Sequence, residues 1–87
     1  MIKYIHLNEL ETGQRANVVS VGGEAAMRQR FEDLGIVRGT EILCVMKSPL
    51  GDPVAYLIRG ALIAIRREDS ANILAELCLE AQDGTHA

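Results

Sequence analysis

The sequence predicts a mainly β domain: a small β-barrel of about five strands with one α-helix inserted between the first and second strands. Three observations lead there. Short β-branched and aliphatic runs recur along the chain, most of them bounded on at least one side by glycine or proline. Two of these runs flank a single Arg59-Gly60 pair, the signature of a hairpin. Only one segment, residues 24–34, carries a convincing helical period. With 87 residues, such a set of strands manages its edges best by curling up on itself.

The elements follow in order. Leu7 and Leu10, just ahead of Thr12-Gly13, predict one helical turn and then a bend. Residues 16–21 (ANVVSV) form the first strand, ended by Gly22-Gly23. In residues 24–34 (EAAMRQRFEDL), Met27, Phe31 and Leu34 fall on one helical face. Glu24, Arg28 and Glu32 lie along the solvated face, spaced to pair with one another. Glu24 suits the positive end of the helix dipole, and Gly35 stands where a left-handed residue closes a helix. Residues 40–47 (TEILCVMK) form a second strand whose two faces differ little in polarity, so both are expected to be covered.

A two-residue turn centred on Arg59-Gly60 pairs Ile58 with Ala61, Tyr56 with Ile63 and Val54 with Ile65 on one face. The other face pairs Leu57 with Leu62 and Ala55 with Ala64. Glycine takes the positive φ of a type I′ turn without strain. Because both faces are apolar, this hairpin is expected at the centre of the sheet. Pro49 and Pro53 bracket Leu50-Gly51-Asp52 as a loop, since proline cannot donate to a sheet ladder. Residues 67–72 suit one helical turn. Residues 73–79 (ILAELCL) alternate as a last strand, with a helix as the competing reading because Ala, Glu and Leu favour one.

Composition bounds the function. The chain is 48% hydrophobic and 24% charged, the balance of a soluble globular domain. Residues 1–80 make one domain and residues 81–87 a flexible C-terminal tail. A net charge of −3 counts against nucleic acid as a partner. The longest apolar run, residues 61–65, is far short of the roughly 20 residues of a membrane span. The first residues lack the apolar core of a signal peptide, which implies a cytoplasmic, reducing setting. There a disulfide between Cys44 and Cys78 is disfavoured.

Catalytic parts are sparse. His6 precedes the first strand and His86 lies in the tail, so both read as surface histidines. Cys44 sits in mid-strand as an inert apolar thiol. Neither cysteine has the spacing of a metal site, which leaves room only for weak, adventitious divalent metal. Gly22-Gly23-Glu24 opens a helix after a strand, but no phosphate-binding motif accompanies it. Asp52 has no nearby carboxylate to share acid–base work and reads as a cap for its own loop. Arg66-Arg67-Glu68-Asp69 reads as a self-paired helical turn and also as an anchor for a partner. By elimination the domain acts by binding, with no enzyme activity and no cofactor.

The ordered motifs resemble the FeoA family, ferrous iron transport protein A. They are Leu7-Asn8-Glu9-Leu10 with Gly13; Arg30-Phe31-Glu32-Asp33-Leu34-Gly35-Ile36 with Gly39-Thr40; Pro49-Leu50-Gly51-Asp52-Pro53; Arg59-Gly60; and Ala64-Ile65-Arg66-Arg67-Glu68-Asp69 leading into Ile73. The set spans residues 7 to about 77, with Phe31 where the family pattern usually has Leu. The resemblance implies an SH3-like barrel, no catalysis, and a cytosolic accessory role beside FeoB, a membrane GTPase permease for ferrous iron. The expected contact residues are Arg30 on the helix; Leu50, Gly51, Asp52 and Pro53 in the loop; and Arg66, Arg67 and Glu68 at the corner. The competing expectation is a metal-responsive or weakly self-associating SH3-like regulatory module. Insertion into the membrane is not expected.

Overall fold

In the computed structural model, residues 2–79 are described; the expected tail, residues 81–87, lies outside them. The elements are β1 (Tyr4–His6), a 3-10 turn (Leu7–Glu9), β2 (Arg15–Val21), α1 (Ala25–Asp33), β3 (Glu41–Lys47), β4 (Val54–Ile58), β5 (Ala61–Ile65), α2 (Arg67–Ser70) and β6 (Ile73–Leu77). The strands form one antiparallel sheet in the order β1-β6-β2-β3-β4-β5.

The strand count is six rather than five. The added strand, β1, is three residues long and is held through pairing with Leu74, Ala75 and Glu76 of β6. So short a segment carries no alternation to read. Residues 73–77 are a strand because they pair with β1 on one side and β2 on the other; this ladder decides against the helix that their composition also allows. Among the described residues β1 and β5 do not pair with each other, so the ladder is open where a closed barrel was expected. Register shifts between Val18 and Ser20 in β2, and between Cys44 and Met46 in β3, mark bulges. Bulges add twist and bend a strand, which curls the sheet around its core.

The hairpin has the expected register, Val54 with Ile65 through Ile58 with Ala61. Arg59 (φ 50) and Gly60 (φ 86) both take positive φ, as a type I′ turn requires. The hairpin is not central, however. β5 is an edge strand, and Leu57 and Leu62 on the outer face are 39% and 63% exposed. The two apolar faces were misleading because only one is covered. The outer face of β3 is likewise only half-buried at Leu43 and Val45.

The inner faces meet in one core built from Leu7, Leu10, Val18, Phe31, Ile42, Cys44, Tyr56, Ile58, Ile73 and their neighbours. Tyr56 is fully buried, and its hydroxyl donates to the Leu7 carbonyl oxygen at 3.4 Å. This ties the hairpin to the 3-10 turn. Helix α1 runs as expected, with Glu24 as N-cap, Leu34 as C-cap and Gly35 at φ 88 beyond it. Arg28 does not pair with Glu24 or Glu32; its Nη1 donates to the Gly23 carbonyl at 2.6 Å. Thr40 closes the turn after the helix, its Oγ1 donating to the Gly35 carbonyl and accepting from Val37 N–H.

Burial pushes the Cys44 thiol and the Tyr56 phenol above their ordinary values; bonds to Thr12 and Ser70 respectively oppose the rise only in part. The fold therefore favours the neutral forms. The unfolded chain loses these protons first as pH rises, so their contribution is complete below the ordinary values and is lost above them. Denaturation midpoints should hold steady around neutrality and fall above about pH 9 to 10. A Tyr56→Phe variant should show a shallower alkaline decline.

Candidate protein-docking site

The open edge of β5 does not lie against another strand. Helix α1 passes beside it, and a groove of about 640 Å³ remains between them. Its floor is apolar. Phe31, 3% exposed, anchors α1 on the core, while Leu34, 39% exposed, and Ile63 form the upper walls. Its rim is ionic: Arg30 and Asp33 project from α1, with Arg66, Glu68 and Asp69 at the opposite corner. These charges have not paired with one another. Among the described residues the one ion pair lies elsewhere, between Lys47 Nζ and Glu11 Oε1 at 3.1 Å.

The groove thus unites three of the residues singled out in the sequence, Arg30, Arg66 and Glu68. Arg67 lies apart from them. It is half-buried and does not line the groove, and its positive charge is felt by Cys44 and Tyr56 on the core side. A turn of helix cannot present three successive residues to one surface, so one of the three had to face inward.

The 49–53 loop divides at its middle. Asp52 does not cap its own loop. Its Oδ1 accepts from Arg67 N–H at 2.9 Å, which satisfies the first backbone donor of α2. The loop root is thereby fastened to the corner, and Asp52 and Pro53 share a small cleft with Arg66. The Asp52–Pro53 peptide is cis. Leu50, 94% exposed, stands at the tip outside the groove, and Gly51 (φ 86) makes the turn there. Replacing Asp52 by alanine removes the side-chain acceptor of the first helix donor and should cost about 1 kcal/mol, measurable by urea denaturation. Asparagine, which keeps an acceptor oxygen, should restore most of it.

The sequence reading missed Phe31, Asp33, Leu34, Ile63, Ala64, Ile65 and Asp69 as groove residues. No local pattern signalled them: they come from the α1 end, β5 and α2, and only the fold brings them together.

Asn17 Nδ2 donates to Cys78 Sγ at 3.4 Å, Cys44 is buried, and the two thiols are not joined in a disulfide. No helix among the described residues is long and apolar enough to cross a membrane.

A mainly antiparallel curled sheet with one helix laid beside its open edge, and a mixed-charge groove between them, defines a small β domain of the SH3-like class. The chain belongs to the FeoA domain family, which it matches over residues 5–77. It is 42% identical over 73 residues to a Fe(2+) transport protein A/Fe(2+) transporter FeoB fusion protein of Porphyromonas gingivalis (strain ATCC BAA-308 / W83). That match takes in 84% of this chain and only 9% of the relative's length. A FeoA-like protein from Clostridium acetobutylicum, solved by NMR, superimposes with a TM-score of 0.82 at 41% identity, over 92% of this chain and 93% of that one. The zinc complex of the FeoA of Stenotrophomonas maltophilia, described as a prokaryotic SH3 domain protein, gives a TM-score of 0.72 at 28% identity, over 82% and 88% of the two chains.

Proposed function

We propose that this chain is a cytosolic accessory protein of bacterial ferrous iron uptake and that it acts by docking on a FeoB-type membrane GTPase permease. The fused relative carries this reading. In it a segment like this chain is joined in one polypeptide to the transporter. A covalent link raises effective concentration and is of use where two parts touch. The docking face is the α1–β5 groove, with Arg30, Arg66 and Glu68 on its rim and Asp52 and Pro53 holding the corner in place. An apolar floor within an ionic rim is the usual anatomy of a protein interface. The SH3-like sheet is the rigid platform for that face, and the domain contributes binding rather than catalysis. A pull-down with the full-length permease in membrane, and with its soluble GTPase portion, tests the reading with and without guanine nucleotide. Retention of the permease is expected. No association with either form would contradict it.

The zinc complex of the Stenotrophomonas relative favours a second reading, a metal-responsive or self-associating module. Calorimetric titration separates the two. Tight stoichiometric binding of Fe²⁺ or Zn²⁺, lost in His6→Ala or Cys78→Ser, would support the second.

A further inference from the structure

The hairpin register fixes which backbone groups β5 leaves open. In a two-residue hairpin the residues flanking the turn form a hydrogen-bonded pair, and bonded and non-bonded pairs then alternate. Ala61, Ile63 and Ile65 therefore bond to Ile58, Tyr56 and Val54 of β4. The N–H and C=O groups of Leu62 and Ala64 point the other way, to the free edge. No other described backbone group bonds to them. Both residues are exposed, and Ala64 lines the groove beside α1.

We propose that the groove takes an extended strand of a partner protein, which adds to β5 and completes the ladder through Leu62 and Ala64. This rests on the docking reading above and specifies its mode. Main-chain pairing gives such strand addition its affinity, and alternate side chains give it specificity. The inward side chain of the added strand sits over Phe31 and Ile63 and must be apolar. Its outward neighbour lies against Leu62 and extends the cross-strand row Leu43, Leu57, Leu62, which is also apolar. The flanks of the strand meet the unpaired ions of the rim, Arg30 and Asp33 on one wall, Arg66 and Glu68 at the corner. Proline is excluded where the strand must donate to the Leu62 or Ala64 carbonyl.

The occupant is a strand of another protein, in keeping with the fused relative, where a segment like this chain is joined to the transporter FeoB. A second copy of this chain seated on β5 is the competing outcome, and a stable dimer of the free chain in sedimentation, with the Leu62 and Ala64 amides protected, would overturn the proposal.

Amide hydrogen exchange and one variant test the proposal on the full chain, with the full-length FeoB-type permease in lipid nanodiscs as the probe. In the free chain the Leu62 and Ala64 amides should exchange much faster than that of Ile63; slow exchange there would mean a covered edge and overturn the proposal. In the complex both should become protected. Ala64→Pro removes an edge donor without touching the β4–β5 ladder, so it should keep its melting temperature within a few degrees. It should lose about tenfold or more in affinity. Should Ala64→Pro misfold, the exchange data on the unmodified chain decide. A complex in which both amides stay unprotected overturns strand addition and leaves groove docking standing. No complex at all overturns both.

Discussion

Truncation of Phe31 to alanine is expected to destabilise the domain by about 3–5 kcal/mol, the usual cost of emptying a buried aromatic site. Phe31 is the one buried residue of α1, with Met27 only partly buried beside it. The helix therefore rests on the sheet chiefly through a single ring. Total stability for a chain of this length is of order 4–13 kcal/mol, so the loss is a large share of the whole. Urea denaturation should show a lower midpoint with a near-constant slope. Because the same ring floors the groove, permease binding should also disappear, even at temperatures where the variant is still folded. Phe31→Leu is the informative companion. It keeps an apolar side chain and should recover most of both properties. A loss below about 1 kcal/mol in Phe31→Ala would show that α1 is held by something other than this contact.

The second large effect separates binding from folding. Arg30 and Arg66 are exposed, lack ion-pair partners and stand on opposite walls of the groove. Surface substitutions of this kind usually shift stability by no more than about 0.5 kcal/mol. Reversing both charges, Arg30→Glu with Arg66→Glu, should leave the melting curve nearly unchanged. At an interface the same side chains act differently, because arginine is enriched among the residues that dominate binding. The double variant should lose about tenfold to a hundredfold in affinity for the permease, read by surface plasmon resonance. Each single reversal should lose less. The Arg67→Glu variant should behave otherwise: Arg67 is half-buried and lies off the groove, so its cost should fall mainly on stability.

The sequence disclosed local structure wherever one residue type settled the geometry. Glycine at position 35 and the Arg59-Gly60 pair fixed a helix end and a hairpin register. The turn set Val54, Tyr56 and Ile58 on one face, and all three are buried, but the sequence did not say which of the two apolar faces would be the inner one. Position in the sheet was not legible in the same way. An apolar outer face reads alike whether a neighbour covers it or solvent does, so β5 was expected at the centre and lies at the edge. β1 was too short for any pattern and depends on β6 for its existence. The site was half legible. Arg30, Arg66 and Glu68 stand out by charge and come together in one groove. The bond from Arg67 N–H to Asp52 links residues far apart along the chain, and no local rule reveals it.

The most direct measurement is an amide chemical-shift map of the ¹⁵N-labelled chain on addition of the permease's soluble GTPase portion. Perturbations are expected at Arg30, Asp33 and Leu34, along Leu62 to Arg66, and at Glu68 and Asp69. Perturbations centred on Tyr4, His6 and Glu76, at the β1 side of the sheet, with the α1–β5 groove silent, would contradict docking through this groove.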